Sequence, residues 1–334
     1  MIAPVPRITA ADVVDPAIAC DPLRRNVSLP FRRQLFPLGF SLEISTNVEP
    51  VLDLASTCWG SWRHRIFAEQ TLEIHIAVTG DRVGLPPSAP TFRGQRNLIS
   101  IVADANNYAV CDLKQGFAFA WLNQDALADQ AYLRYHFLEG IALTLLAGRY
   151  VIPLHAACVE RGGKGVLLCG NSGAGKSSLA FACARAGWKF LSDDASYLVV
   201  KNGCRLVVGN PQWLRLRPSA KELFPEMRGF DLTPRPTGKP SIEVPTSKLP
   251  IGVTYGATVE HIVFLNRRSG EPPALQALPR QIATAWARQS LASTLLEEAD
   301  LSDLDHLLKA RLHELRYDTL DDAIHCLELL VSYA

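Results

Sequence analysis

The chain is 334 residues long and 48% hydrophobic, with 34 basic residues against 33 acidic ones and a net charge of +1. That length allows two domains or one large one, and so balanced a charge excludes a global field that would recruit nucleic acid or an anionic membrane surface. No apolar run approaches the ~20 residues that cross a bilayer; the best stretch, Gly140 to Gly148, is far too short. The opening MIAPVPRITAADVVDP lacks a basic start followed by an apolar segment, so no secretory signal is expected. The eight cysteines show no C-x-x-C pair and no Cys/His cluster at zinc spacing. Cys158, Cys169 and Cys183 sit among apolar neighbours and read as buried thiols, which points to a reducing cytoplasm.

In chain order, residues 1–30 are Pro-rich and weakly patterned and read as an extended arm. From Gly39 to Trp121 the pattern is strand-rich. Phe40, Leu42 and Ile44 alternate with polar partners, as do Leu72, Ile74 and Ile76. Glu49 to Ser61 reads as a helix packed on the sheet. Leu98–Val102 and Tyr108–Leu113 flank a hairpin loop at 103–107. Phe117, Phe119 and Trp121 fall on one face of a strand and are expected on the inner side of the sheet. A long helix is expected from Asp125 to Gly148, with Tyr132, Tyr135, Leu138, Ile141 and Leu145 as its apolar stripe.

Val166–Cys169 is a short apolar run suited to a buried strand, and 177–186 is a helix former that ends at Gly187. Between them, GNSGAGKSS from Gly170 to Ser178 fills the pattern G-x-x-x-x-G-K-[S/T]. Gly170, Gly173 and Gly175 permit turns that a Cβ would penalise. The nucleotide-binding candidates are Gly170, Asn171, Ser172, Gly173, Ala174, Gly175, Lys176, Ser177 and Ser178; the successive N–H groups of 172–177 point into one concavity, where the positive end of the following helix adds to the field. Lys176 would reach the β- and γ-phosphates of a nucleotide, and Ser177 would be a magnesium ligand.

Trp188–Leu191 reads as a second strand, and it delivers Asp193 and Asp194 only 17 positions after the lysine. One carboxylate beside a phosphate loop can hold Mg²⁺ while the other takes a proton from an attacking hydroxyl. Further on, Asn202-Gly203 between two apolar runs signals a hairpin. Residues 229–256 are rich in Pro, Gly and Thr and read as a long loop able to close over the site. Arg235 and Lys239 are its candidate phosphate-binding cations, and Glu243 its candidate metal ligand. His261–Leu265 reads as a core strand. From Gln281 onwards the chain reads as mostly helical, closing with a helix over 320–331 that Thr319 and Asp322 would cap.

Taken together, His155 fifteen positions before Gly170, the loop itself and the Asp-Asp pair resemble the HPr serine kinase/phosphorylase family. The resemblance is firm over about 150–200. It implies an α/β fold: a C-terminal kinase domain (125–334) of the HPr kinase and phosphoenolpyruvate carboxykinase-like P-loop type, preceded by a smaller strand-rich α+β domain (1–124). It implies ATP and Mg²⁺ as cofactors, Asp193 as the base, Asp194 as a metal ligand and His155 as the partner of the catalytic carboxylate. The family's Glu-x-Arg-Gly-x-Gly signature is absent; the corresponding region reads GNPQWLRLRPSA, from Gly209 to Ala220, with arginines and no glutamate. HPr as substrate and phosphorylase activity do not follow, and the chain looks closer to divergent relatives, some of which phosphorylate a serine of a ribosomally made peptide such as a lasso peptide precursor. The expected partner is therefore a peptide or protein bearing a serine hydroxyl. A small hydroxy metabolite and a non-catalytic ATP-binding switch remain the alternatives, and homo-oligomer contacts are open.

Overall fold

A computed structural model describes residues 27–79, 84, 88–200, 203–233, 240–290 and 298–332. The expected N-terminal arm lies almost wholly outside them, as do Arg235 and Lys239. The fold is mixed α/β, built on several sheets.

The first sheet has seven strands: β1 (Phe31–Leu35), β2 (Leu42–Thr46), β3 (Leu72–Val78), β4 (Thr91–Gln95), β5 (Leu98–Val102), β6 (Tyr108–Asp112) and β7 (Phe117–Leu122), ordered β1-β2-β3-β7-β6-β5-β4. Strict alternation places Leu42, Ile44, Leu72, Ile74 and Ile76 on one buried face. Against that face pack α1 (Glu49–Trp59) and the helical run α2 (Gln124–Ala128), α3 (Gln130–Tyr132), a wide π turn (Leu133–Glu139) and α4 (Gly140–Ala147). The expected single helix is thus broken: Asn123 caps the first piece, and Asp129 the second by accepting from Tyr132 N at 2.9 Å. Of its expected apolar stripe, Tyr132, Leu138, Ile141 and Leu145 belong to the core of the first sheet, while the hydroxyl of Tyr135 donates to Glu243.

One face assignment is corrected. Ala118, Ala120 and Leu122 face that core, while Phe117, Phe119 and Trp121 occupy the opposite side with Ala77, Val27, Leu29 and Tyr108. Small residues fit under the helices, and the large rings are displaced outward.

The second sheet starts with β8 (Val151–Leu154), β9 (Ala157–Arg161) and β10 (Lys164–Cys169). Helix α5 (Lys176–Arg185) follows, then β11 (Lys189–Ser192), β12 (Ser196–Val199) and β13 (Leu206–Val208). Strands β12 and β13 pair antiparallel as the Asn-Gly signal anticipates. Next come β14 (Trp213–Leu216), α6 (Ala220–Leu223), β15 (Leu232–Thr233) and β16 (Ser241–Pro245), whose strands form a separate three-stranded sheet; β15 and β16 lie inside what the sequence suggested was loop. The chain then runs through β17 (Gly252–Val253), β18 (Gly256–Arg267), β19 (Ala274–Ala277), α7 (Arg280–Ser290), α8 (Glu298–Leu307), β20 (Arg311–Tyr317) and α9 (Leu320–Ser332).

Strand β20 was not anticipated. Its RLHELRY is made of good helix formers, yet it pairs parallel with β18 and antiparallel with β19, so partner strands outweigh local propensity. Helices α5 and α9 cover one face of this sheet, and α7 and α8 the other. Strands β10, β18 and β20 run parallel, and β11 shares their direction because both it and β10 are antiparallel to β9. Their carboxyl ends therefore meet at one edge, where open α/β sheets bind ligands.

Candidate active site

Five chain segments converge at that edge. Strand β10 ends at Cys169 and releases the glycine loop, and β11 ends at Ser192 and releases Asp193 and Asp194. His155 lies just ahead of β9, whose Ala157 pairs with Leu168. Strand β18 ends at Arg267 and β20 at Tyr317. Together with the wall formed by Arg215 to Ala220 they enclose a cavity of ≈ 550 Å³.

Gly175 has φ +96°, and a Cβ there would meet Tyr317 Oη at 2.6 Å. That hydroxyl donates to Ala174 O at 2.9 Å, so the end of β20 braces the loop. Helix α5 starts at Lys176, whose side chain folds back into the loop: Nζ donates to Gly170 O at 2.7 Å and lies 3.5 Å from Asn171 O. Burial lowers the Lys176 pKa, and Asp194 opposes that shift.

Lys176 Nζ also lies 3.2 Å from His155 Nε2, and His155 Nδ1 lies 3.2 Å from Asp194 Oδ1. Lys176 can only donate, which assigns the ring proton to Nδ1, facing the carboxylate. The result is a directed chain from Lys176 through His155 to Asp194, all three lining the cavity.

The two carboxylates differ sharply. Asp194 is about half exposed in the cavity. Asp193 is buried and accepts a short hydrogen bond from Arg215 N on β14. Burial pushes its pKa up to about 6, with the Arg215 charge and hydrogen bond working against that rise. The expected partnership of His155 with Asp193 is therefore replaced by one with Asp194. The carboxylate that lines the cavity is Asp194; that of Asp193 faces protein. Ser177 Oγ donates to Asp193 O at 3.1 Å, which sets its hydroxyl beside the same turn.

Glu243 also sits elsewhere than expected. Its Oε1 receives Arg134 and Arg215, each at 2.9 Å, and its Oε2 receives Tyr135 Oη at 2.8 Å. Burial raises its pKa, but the two guanidiniums overcome that and hold it below the usual carboxylate range. Glu139 completes the cluster with Arg134 at 2.9 Å and Arg215 at 3.8 Å. A carboxylate with both oxygens so engaged is not a free metal ligand. Glu243 instead fastens β16 to β14 and to the π turn. Among the described residues no group of three or more His, Cys, Asp or Glu could hold a metal ion.

Among the cavity-lining residues the sequence reading missed are Arg215, Arg217, Arg267 and Tyr317. Arg217 lies inside the arginine-bearing stretch, which was noted only for what it lacked. Tyr317 ends a strand the sequence concealed. No described helix is long and apolar enough to cross a membrane. Cys158, Cys169 and Cys183 are buried free thiols, as expected; burial pushes that of Cys158 up to about 12.

The model of the SynChlorMet cassette protein ScmC family matches residues 122–228, about a third of the chain. No curated protein matches it. Among solved structures, the Hpr(Ser) kinase/phosphatase from Coxiella burnetii is similar with a TM-score of 0.29 and 16% identity, over 55% of this chain and 99% of that one. A likeness that distant carries no functional argument. The reading below rests on the site.

Proposed function

We propose that this chain is an ATP- and Mg²⁺-dependent kinase that transfers the γ-phosphate to a hydroxyl, with a serine of a peptide or protein as its acceptor. The observation that carries the reading is the Lys176–His155–Asp194 chain beside the glycine loop, inside one cavity. A phosphate loop alone binds nucleotide. An exposed carboxylate set beside it by a histidine adds a place for an acceptor proton.

In this mechanism the backbone N–H groups of the loop receive the phosphates, and Lys176 exchanges its carbonyl partners for phosphate oxygens. The acceptor hydroxyl approaches Asp194, whose orientation is held by the Nδ1–H of His155. As the oxygen–phosphorus bond forms, the β–γ bridging bond breaks, the hydroxyl proton passes to Asp194, and ADP is the leaving group. Ser177 Oγ and the Asp194 carboxylate both line the cavity and, as hard oxygen donors, would be the residues to hold magnesium. When bound, that ion supplies charge neutralisation at the phosphates. Asp193 shapes the turn from below through Arg215 N.

The test is incubation with γ-labelled ATP and Mg²⁺ against serine-containing peptides and a metabolite extract. Label on a peptide serine is expected, reduced by at least about a hundredfold in Asp194→Asn and far less in Asp193→Asn. Label on a small molecule would move the acceptor to metabolites. Tight ATP binding with no labelled product would replace the kinase with a nucleotide-dependent switch.

A further inference from the structure

Arg215 and Arg217 are two positions apart on an extended segment and so lie on one face of it. Both line the cavity, but their surroundings are opposite. Burial pulls the Arg215 pKa down, yet Glu139 and Glu243 outweigh that and keep its guanidinium charged and matched. Arg217 has no carboxylate within ion-pair distance among the described residues. Its hydrogen bond runs from Nη2 to Ser172 Oγ at 3.0 Å, and a neutral hydroxyl leaves the charge unmatched. A Cβ on Gly173 would meet Arg217 Nη1 at 3.4 Å, so the guanidinium lies against the crest of the loop. Its charge also reaches Lys176, where it adds to the lowering that burial causes. Two cations facing one glycine loop mark a place for an anion.

The segment from 213 to 217 also joins the two sides of the cavity. Arg215 N holds Asp193, the neighbour of Asp194, on the acceptor side. Arg217 touches Ser172 on the nucleotide side. A phosphoryl group moving from a nucleotide on the loop to a hydroxyl at Asp194 lies between those anchors.

We infer that Arg217 is a phosphate-binding residue whose guanidinium engages the terminal phosphoryl group of a nucleoside triphosphate, the group absent from the diphosphate. This rests on the kinase reading above. A planar fork of donors suits the equatorial oxygens over which charge spreads during transfer, and a lysine would supply the charge without the fork.

The experiment is equilibrium binding of ATP and of ADP, each with Mg²⁺, to the full chain as wild type, Arg217→Ala and Arg217→Lys. Nucleotide-free melting is followed in parallel. Arg217→Ala should lose at least about tenfold in ATP affinity while ADP affinity and melting stay close to wild type. Arg217→Lys should fall between, and added guanidinium ion should restore part of the ATP affinity of the alanine variant. Equal losses for ATP and ADP, or no loss for either, would overturn the assignment while leaving the nucleotide site in place. A lowered melting temperature with equal losses would show that Arg217 only supports the loop through Ser172. A wild type that binds neither nucleotide would sink the kinase reading and this inference together. One that binds ATP but labels no acceptor would remove the kinase reading alone, and the ATP-to-ADP ratio would still decide Arg217.

Discussion

The two walls of the cavity are built in different ways. The loop wall, 170–178, is a single run of chain whose shape follows from its own glycines and from the strand and helix at its ends. The facing wall, 213–217, is held in place by residues distant in sequence: Glu139 and Arg134 from the π turn, Glu243 from β16 and Asp193 from the turn after β11. One wall is robust because it is local. The other depends on a buried ionic cluster in which each member needs the rest.

Breaking the second wall is the severest test of that contrast. Glu243→Ala leaves Arg134 and Arg215 with Glu139 as their remaining shared carboxylate in a buried setting, and should cost about 3 kcal/mol in denaturant unfolding, with loss of transfer following from the displaced β14. A loss below about 1 kcal/mol would mean that the pair is solvated and the wall stands without it.

Asp193→Asn sharpens the comparison through pH. The folded pKa of Asp193 is raised from 3.8 to about 6, so its favourable contribution is fully present below about pH 4 and is lost as pH rises through about 6. The asparagine variant lacks that loss. Its stability relative to wild type should therefore improve by up to about 3 kcal/mol between pH 4 and pH 7, read from melting curves across that range. A difference flat with pH would show that Asp193 stays ionised in the fold.

On the loop wall, Gly175→Ala should cost about 1–2 kcal/mol, because φ is +96° and the new Cβ would press on Tyr317 Oη. In the Tyr317→Phe background part of that cost should disappear, and the remainder measures the backbone strain alone. The smallest effect is expected at the start of α9, away from both walls. Thr319 Oγ1 accepts from Asp322 N at 3.2 Å, so Thr319→Ala should cost about 1 kcal/mol in thermal unfolding with transfer unchanged.

These contrasts also explain what could be read in advance. The strand–loop–helix unit around Lys176, the β12–β13 hairpin and the cap at Thr319 were legible because their signals are local: glycine at a turn, an alternating run, a hydroxyl ahead of a helix. Strand β20 was hidden because Leu, Glu and Arg favour a helix until β18 and β19 supply partners on both sides. The aromatic face of β7 was misread because alternation defines two faces without saying which one the helices cover.

At the site the division is the same. By itself the sequence determined that a glycine loop, its lysine and two adjacent carboxylates would stand near one another, because loop geometry and short strand connections act over a few residues; the place of His155 was implied only by the family resemblance. Only the tertiary structure decided which carboxylate faces the cavity, that Glu243 serves the cluster with Arg215, and that Arg217 stands over the loop with no ion-pair partner among the described residues. Those outcomes depend on burial and on charge partners brought together from distant parts of the chain, and neither is encoded within any one segment.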